Sequence, residues 1–172
     1  MPTDATSKTI VLVHGLWVTP RSWEKWIGRY TQRGYKVLAP AYPGLEVEVE
    51  ALNADPSPIE ALTVPAVVEH YESVIGELAE QPIIMGHSFG GTIVQILLDH
   101  GLGAVGVAID SGPPEGIRTL PPAQAKAAFP VLKNPANRHR AVPFTLKEFH
   151  HAFANTLSED QAAMVYERYA VA

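Results

Sequence analysis

No cysteine occurs among the 172 residues. Disulfides and thiolate metal sites are therefore excluded, which fits a cytoplasmic protein. Basic clusters are also missing. The net charge is −5 and the lysines and arginines are scattered, so nucleic acid is not an expected partner. No apolar run is long enough to span a bilayer, so no membrane partner is expected. Met1-Pro2-Thr3-Asp4 lacks the charged start of a secretory signal, and the apolar stretch after Lys8 reads as a strand. Internal repeats and low-complexity tracts are absent. What remains is a globular composition, 47% hydrophobic and 18% charged, in a chain long enough for one domain with a core.

Proline, by contrast, is abundant. Many of the 15 prolines fall within residues 40–65 and 113–143, where loops and inserted segments are expected. Between them lie short β-branched runs. Thr9-Ile10-Val11-Leu12-Val13 suits a buried parallel strand. A helix is expected from Pro20 or Ser22 to Tyr30, with Trp23, Trp26, Ile27 and Tyr30 as its core face, and Gly34 stops it. Residues 35–39 give a second strand, and residues 45–58 read as loop. A helix follows over 64–78, with Pro65 in its first turn. Ile83-Ile84-Met85 is the third strand and residues 103–109 the fourth. Thr145-x-x-Glu148 and Ser158-x-x-Gln161 fit the capping box and predict helices over 146–155 and 159–169. Strands alternating with helices imply a parallel sheet covered on both faces.

The third strand runs directly into Gly86-His87-Ser88-Phe89-Gly90, and an apolar helix over 89–100 follows at once. This is G-x-S-x-G in a strand–turn–helix setting, the signature of a nucleophilic serine. The turn lifts the Ser88 hydroxyl above the sheet, and the flanking glycines let strand and helix approach closely. The amino end of the new helix favours negative charge at the site. Ser88 is the expected nucleophile. His14-Gly15 ends the first strand, so the N–H groups of Leu16 and Phe89 can together hold an oxyanion. Trp17 is the alternative donor or a wall of the acyl pocket. His14 reads as a structural histidine of its turn, and the His87 side chain should point away from the hydroxyl.

Taken together, Val11-Leu12-Val13-His14-Gly15-Leu16-Trp17, Gly34-Tyr35-Lys36-Val37-Leu38-Ala39-Pro40 and Gly86-His87-Ser88-Phe89-Gly90-Gly91-Thr92 resemble the α/β-hydrolase superfamily, of the serine esterase or lipase kind. The resemblance implies a core over residues 1–114, with strand order 4-3-5-6 in family terms, and a helical cap segment over 115–172. It also implies that strands seven and eight, which carry the family's acid and histidine, lie beyond this sequence. Asp110, at the end of the fourth strand, is an acid candidate, because some members take their acid there.

A compact alternative reads residues 141–144 as a strand and His150 or His151 as the base, but no good acid lies between. The expected chemistry is acyl transfer from a small-molecule ester through Ser88, without metal or organic cofactor. Trp17 and Pro113 would close the substrate pocket. Similar elbows serve cofactor-free haloperoxidases and hydroxynitrile lyases. A binding protein on an inactive, truncated hydrolase fold is the competing reading. The exposed edge near Val105-Ile109 is expected to pair with a complementing C-terminal segment or with a second copy.

Overall fold

The computed structural model describes residues 7–114, 116–117 and 122–172. The N-terminal residues read above for a targeting signal lie outside it, as does residue 115, where the cap is expected to begin. Four strands, β1 (Thr9–Val13), β2 (Lys36–Leu38), β3 (Ile83–His87) and β4 (Val105–Ile109), form one parallel sheet in the order β2-β1-β3-β4. This is the order expected. Strand β3 extends two residues further than Met85, so it runs up to the serine itself.

Alternation along the strands divides the core. Val11, Val13 and Ile84 face α4 (Val64–Gly76) and α5 (Phe89–Asp99), packing among Tyr71, Ile93 and Leu97. Ile10 and Leu12 point the other way, toward Trp23 and toward Ile27 and Tyr30 of α1 (Glu24–Thr31). A 3₁₀ turn, Pro20–Trp23, capped by the Thr19 hydroxyl, leads into α1. The aromatic face of α1 is not uniformly core: Trp23 is 5% exposed and Trp26 37%. Trp26 lies edge-on against Trp23, with ring centroids 5.2 Å apart.

The stretch read as loop over 45–58 contains α2 (Val49–Ala54) and begins α3 (Ser57–Glu60). Val49 and Leu52, three residues apart, are buried against the main core, and that burial gives the short helix its place. The second proline-rich zone likewise holds α6 (Pro122–Leu132) and a 3₁₀ turn, Pro135–His139. Both predicted capping boxes are formed, opening α7 (Leu146–Phe153) and α8 (Glu159–Tyr169). These two helices build a third apolar cluster from Phe144, Phe149 and Ala162, with Trp17 packed against it. Residues 141–144 form no strand, and His150 and His151 sit on α7. Among the described residues no helix is long and apolar enough to cross a membrane.

Candidate active site

Successive strands leave β1 on opposite sides, β2 to one and β3 to the other. Such a reversal opens a crevice at the carboxyl ends of the strands, the usual ligand position in parallel sheets. Here the crevice lies between the turn after β1 and the turn after β3.

Ser88 occupies the second turn with φ 55° and ψ −122°, a conformation that non-glycine residues rarely hold. Backbone bonds over-determine it. Its N–H donates to Ile109 at 3.0 Å, and its carbonyl accepts the N–H groups of Gly91 at 2.9 Å and Gly112 at 3.2 Å. The Thr92 hydroxyl donates to the Gly112 carbonyl at 3.0 Å, tying that loop to α5. The neighbours must be glycine. A Cβ on Gly86 would stand 2.2 Å from the Gly90 carbonyl oxygen, and one on Gly90 would stand 2.3 Å from that of Val13.

The first turn comes close as well. A Cβ on Gly15 would sit 3.2 Å from the Ser88 Cβ. Neither the Leu16 N–H nor the Phe89 N–H has an acceptor among the described residues. The Phe89 N–H opens α5, so the positive end of that helix adds to its pull on an anion. His14 is buried in this turn, with its Nδ1–H donating to the Gly15 carbonyl at 2.9 Å and its Nε2 accepting the Tyr42 N–H at 3.4 Å. That tautomer follows from the partners. Tyr42 also donates its hydroxyl to the His14 carbonyl and stacks on the imidazole. Burial pushes the His14 pKa down to about 4, so the ring is neutral. A neutral ring with both nitrogens engaged is a strut rather than a proton acceptor.

A cavity of about 670 Å³ opens beside Ser88. Leu16, Trp17, Phe89 and Pro113 line it, together with aliphatic side chains from α3, α4 and the C-terminal segment. Trp17 is turned into that segment, with φ 62°, its indole against Phe144 and its Nε1–H on the Val142 carbonyl. Asp110 does not line the cavity. It is exposed at the end of β4, also with positive φ, and its charge opposes the burial that lowers the His87 pKa. No described residue donates to or accepts from Ser88 Oγ. His150 is occupied elsewhere, its Nε2 bonded to the Leu157 carbonyl at 3.0 Å. Among the described residues no three His, Asp or Glu side chains cluster as metal ligands.

The sequence model described as the Alpha/beta hydrolase family matches residues 10–172. This chain belongs to the alpha/beta hydrolase family. Among solved alpha/beta hydrolases, an extracellular alpha/beta-hydrolase from a Paenibacillus species is similar at TM-score 0.63 and 23% identity, over 93% of this chain and 64% of that one. A pyrethroid hydrolase from Sphingobium faniae gives TM-score 0.66 at 18% identity, over 87% and 62%. Polyneuridine aldehyde esterase gives 0.61 at 17%, over 95% and 68%. The chain thus spans about two thirds of these relatives' length. No match to a curated protein was found.

Tyr42, Thr92 and Gly112, which sequence reasoning does not single out, fix the turns after β1 and β3 through their hydrogen bonds. Tyr42 had one legible cue, its place in Ala41-Tyr42-Pro43-Gly44 just beyond β2. The Thr92–Gly112 bond had none, because it joins residues twenty apart across a loop.

Proposed function

We propose that this chain is a serine hydrolase of carboxylic esters, with Ser88 as nucleophile. The observation that carries the reading is the strained Ser88 backbone with two unclaimed N–H groups in the same pair of turns, lining a largely apolar cavity. Ser88 Oγ adds to the ester carbonyl, and the N–H groups of Leu16 and Phe89 receive the oxygen as it gains charge. The carbonyl re-forms, the C–O bond to the alcohol breaks, and the alcohol leaves with a proton. Water then adds to the acyl group and returns the serine. Trp17 and Pro113 bound the acyl group, which the cavity volume suits at small or medium size. The esterase and pyrethroid hydrolase among the structural neighbours support an ester as the substrate class.

The base that takes the Ser88 proton, and the carboxylate that orients it, come in this reading from outside the described residues. A cap role for residues 115–172 is supported by Ala128 and Val131 of α6 and by residues 140–142, which line the cavity, and the lack of cysteine supports a cytoplasmic setting. Hydrolysis of short p-nitrophenyl esters by the chain and by Ser88→Ala tests the proposal. Weak activity, abolished by the substitution, is expected of the chain alone; activity that survives it removes Ser88 from the mechanism.

The absence of a proton acceptor at Ser88 Oγ among the described residues favours one second reading, a hydrolase fold used for binding. A fluorophosphonate probe separates the two. Rapid stoichiometric labelling of Ser88 excludes the binding reading, and no labelling excludes an active serine in the chain alone.

A further inference from the structure

Beyond the N–H groups of the two turns, the cavity beside Ser88 offers an acyl chain little to orient it. Leu45, Ile59, Leu62, Val67, Val131 and Val142 line the cavity. Aliphatic walls accept an acyl chain without fixing its direction. Among the described residues that line the cavity, one has a side chain with a full charge. It is Arg140, exposed at the rim just after the 3₁₀ turn Pro135–His139.

Arg140 differs from two other arginines, which are committed. Arg21 pairs with Glu48 and Glu50, and Arg168 pairs with Glu24. Among the described residues Arg140 has no ion-pair partner. A carboxylate that does reach its segment, Glu60, is used otherwise: its Oε1 accepts the Ala141 N–H at 3.2 Å. The next residue, Val142, receives the Trp17 indole N–H at 2.9 Å. The two residues after Arg140 are therefore both anchored, one to α3 and one to the turn beside Ser88. A guanidinium mounted on such a fixed backbone, without an internal acid, is a recognition group for a ligand anion.

We infer that Arg140 makes this site selective for esters whose chain ends in a carboxylate, such as half-esters of aliphatic dicarboxylic acids. The ester carbonyl lies at Ser88, the methylene chain fills the apolar cavity, and the terminal carboxylate meets Arg140 at the mouth. This assignment rests on the reading of Ser88 as the ester-binding residue.

The test is a binding measurement, so it does not depend on turnover. Monomethyl suberate and dimethyl suberate, equal in chain length and different in charge, are titrated calorimetrically into Ser88→Ala. The monoester should bind about fivefold more tightly, the scale of a solvent-exposed ion pair, and high salt should erase the difference. Arg140→Gln should abolish the preference, and Arg140→Lys should retain part of it. Equal affinity for the two ligands overturns the assignment, as does binding of neither, or a preference that persists in Arg140→Gln. Ester hydrolysis that survives Ser88→Ala, alongside an Arg140-dependent preference, would instead overturn the nucleophile and leave Arg140 in place.

Discussion

The indole Nε1–H of Trp17 donates to the Val142 carbonyl at 2.9 Å, across 125 residues of sequence. The Trp17 carbonyl in turn accepts the Val171 N–H at 3.0 Å. One residue of the turn beside Ser88 is thereby bonded at both ends to the C-terminal helical segment. Trp17→Phe keeps an aromatic ring against Phe144 but leaves the Val142 carbonyl without its donor. A loss of about 1–3 kcal/mol of stability is expected in urea denaturation. An unchanged midpoint would mean that the bond does not hold the segment to the turn.

The two elbow glycines are set by backbone contact rather than by rotational freedom. Gly90→Ala would press a methyl to within 2.3 Å of the Val13 carbonyl oxygen. The sheet must part from α5 to admit it, so a cost above about 3 kcal/mol is expected. Gly28→Ala is the control, since nothing stands within 4 Å of its added Cβ on α1. That change should stabilise the protein by about 0.5–1 kcal/mol through helix propensity. Similar thermal midpoints for the two variants would contradict the close approach at the elbow.

His14 gives stability a defined acid limit. Its folded pKa of about 4 lies below its ordinary 6.5 because burial disfavours the charged ring. The unfolded chain therefore takes up this proton first as pH falls. The contribution of His14 is complete above about pH 6.5 and is lost progressively toward pH 4, amounting to roughly 3 kcal/mol. Unfolding free energies measured across that interval should fall with decreasing pH, and the slope should lessen by up to one proton in His14→Gln. An identical slope in both proteins would show that His14 is protonated in the folded state.

Strand β4 is paired with β3 along one side, and Val105 on it is 54% exposed. No other strand among the described residues covers its second edge. Such an edge, apolar and without charge or proline, is a template for a further strand. We propose that it pairs with a second copy of the chain or with a complementing segment. Light scattering of the chain alone should report a species larger than the monomer, and Val105→Lys should shift it toward the monomer. A monodisperse wild-type monomer would overturn pairing with a second copy.

Much of this architecture is legible because single residues carry strong local rules. Thr9–Val13 is read to its ends, since a continuous β-branched run between Lys8 and His14 has little else to become. Ser158 and Thr145 announce α8 and α7 through side-chain bonds contained within four residues. Helices α2 and α3 escape because four to six residues are too few to display a period. The burial that fixes α2 at Val49 and Leu52 is supplied by a core distant in sequence. Trp26 follows helical spacing faithfully and is still 37% exposed, because it packs on the rings of Trp23 and Tyr30 and not within the cluster around Ile10 and Leu12.

The sequence by itself determined the strands, their parallel order through the family resemblance, and the sharp turn at Ser88. Those follow from β-branched runs, capping side chains and glycines, which act within a few residues. Tertiary structure alone decided what surrounds the serine. It neutralised His14 by burying it under Tyr42, turned Trp17 toward Val142, and set Arg140 at the mouth of an aliphatic cavity. Each of these depends on desolvation or contact between segments far apart in the chain, and such interactions exist only once the chain is packed.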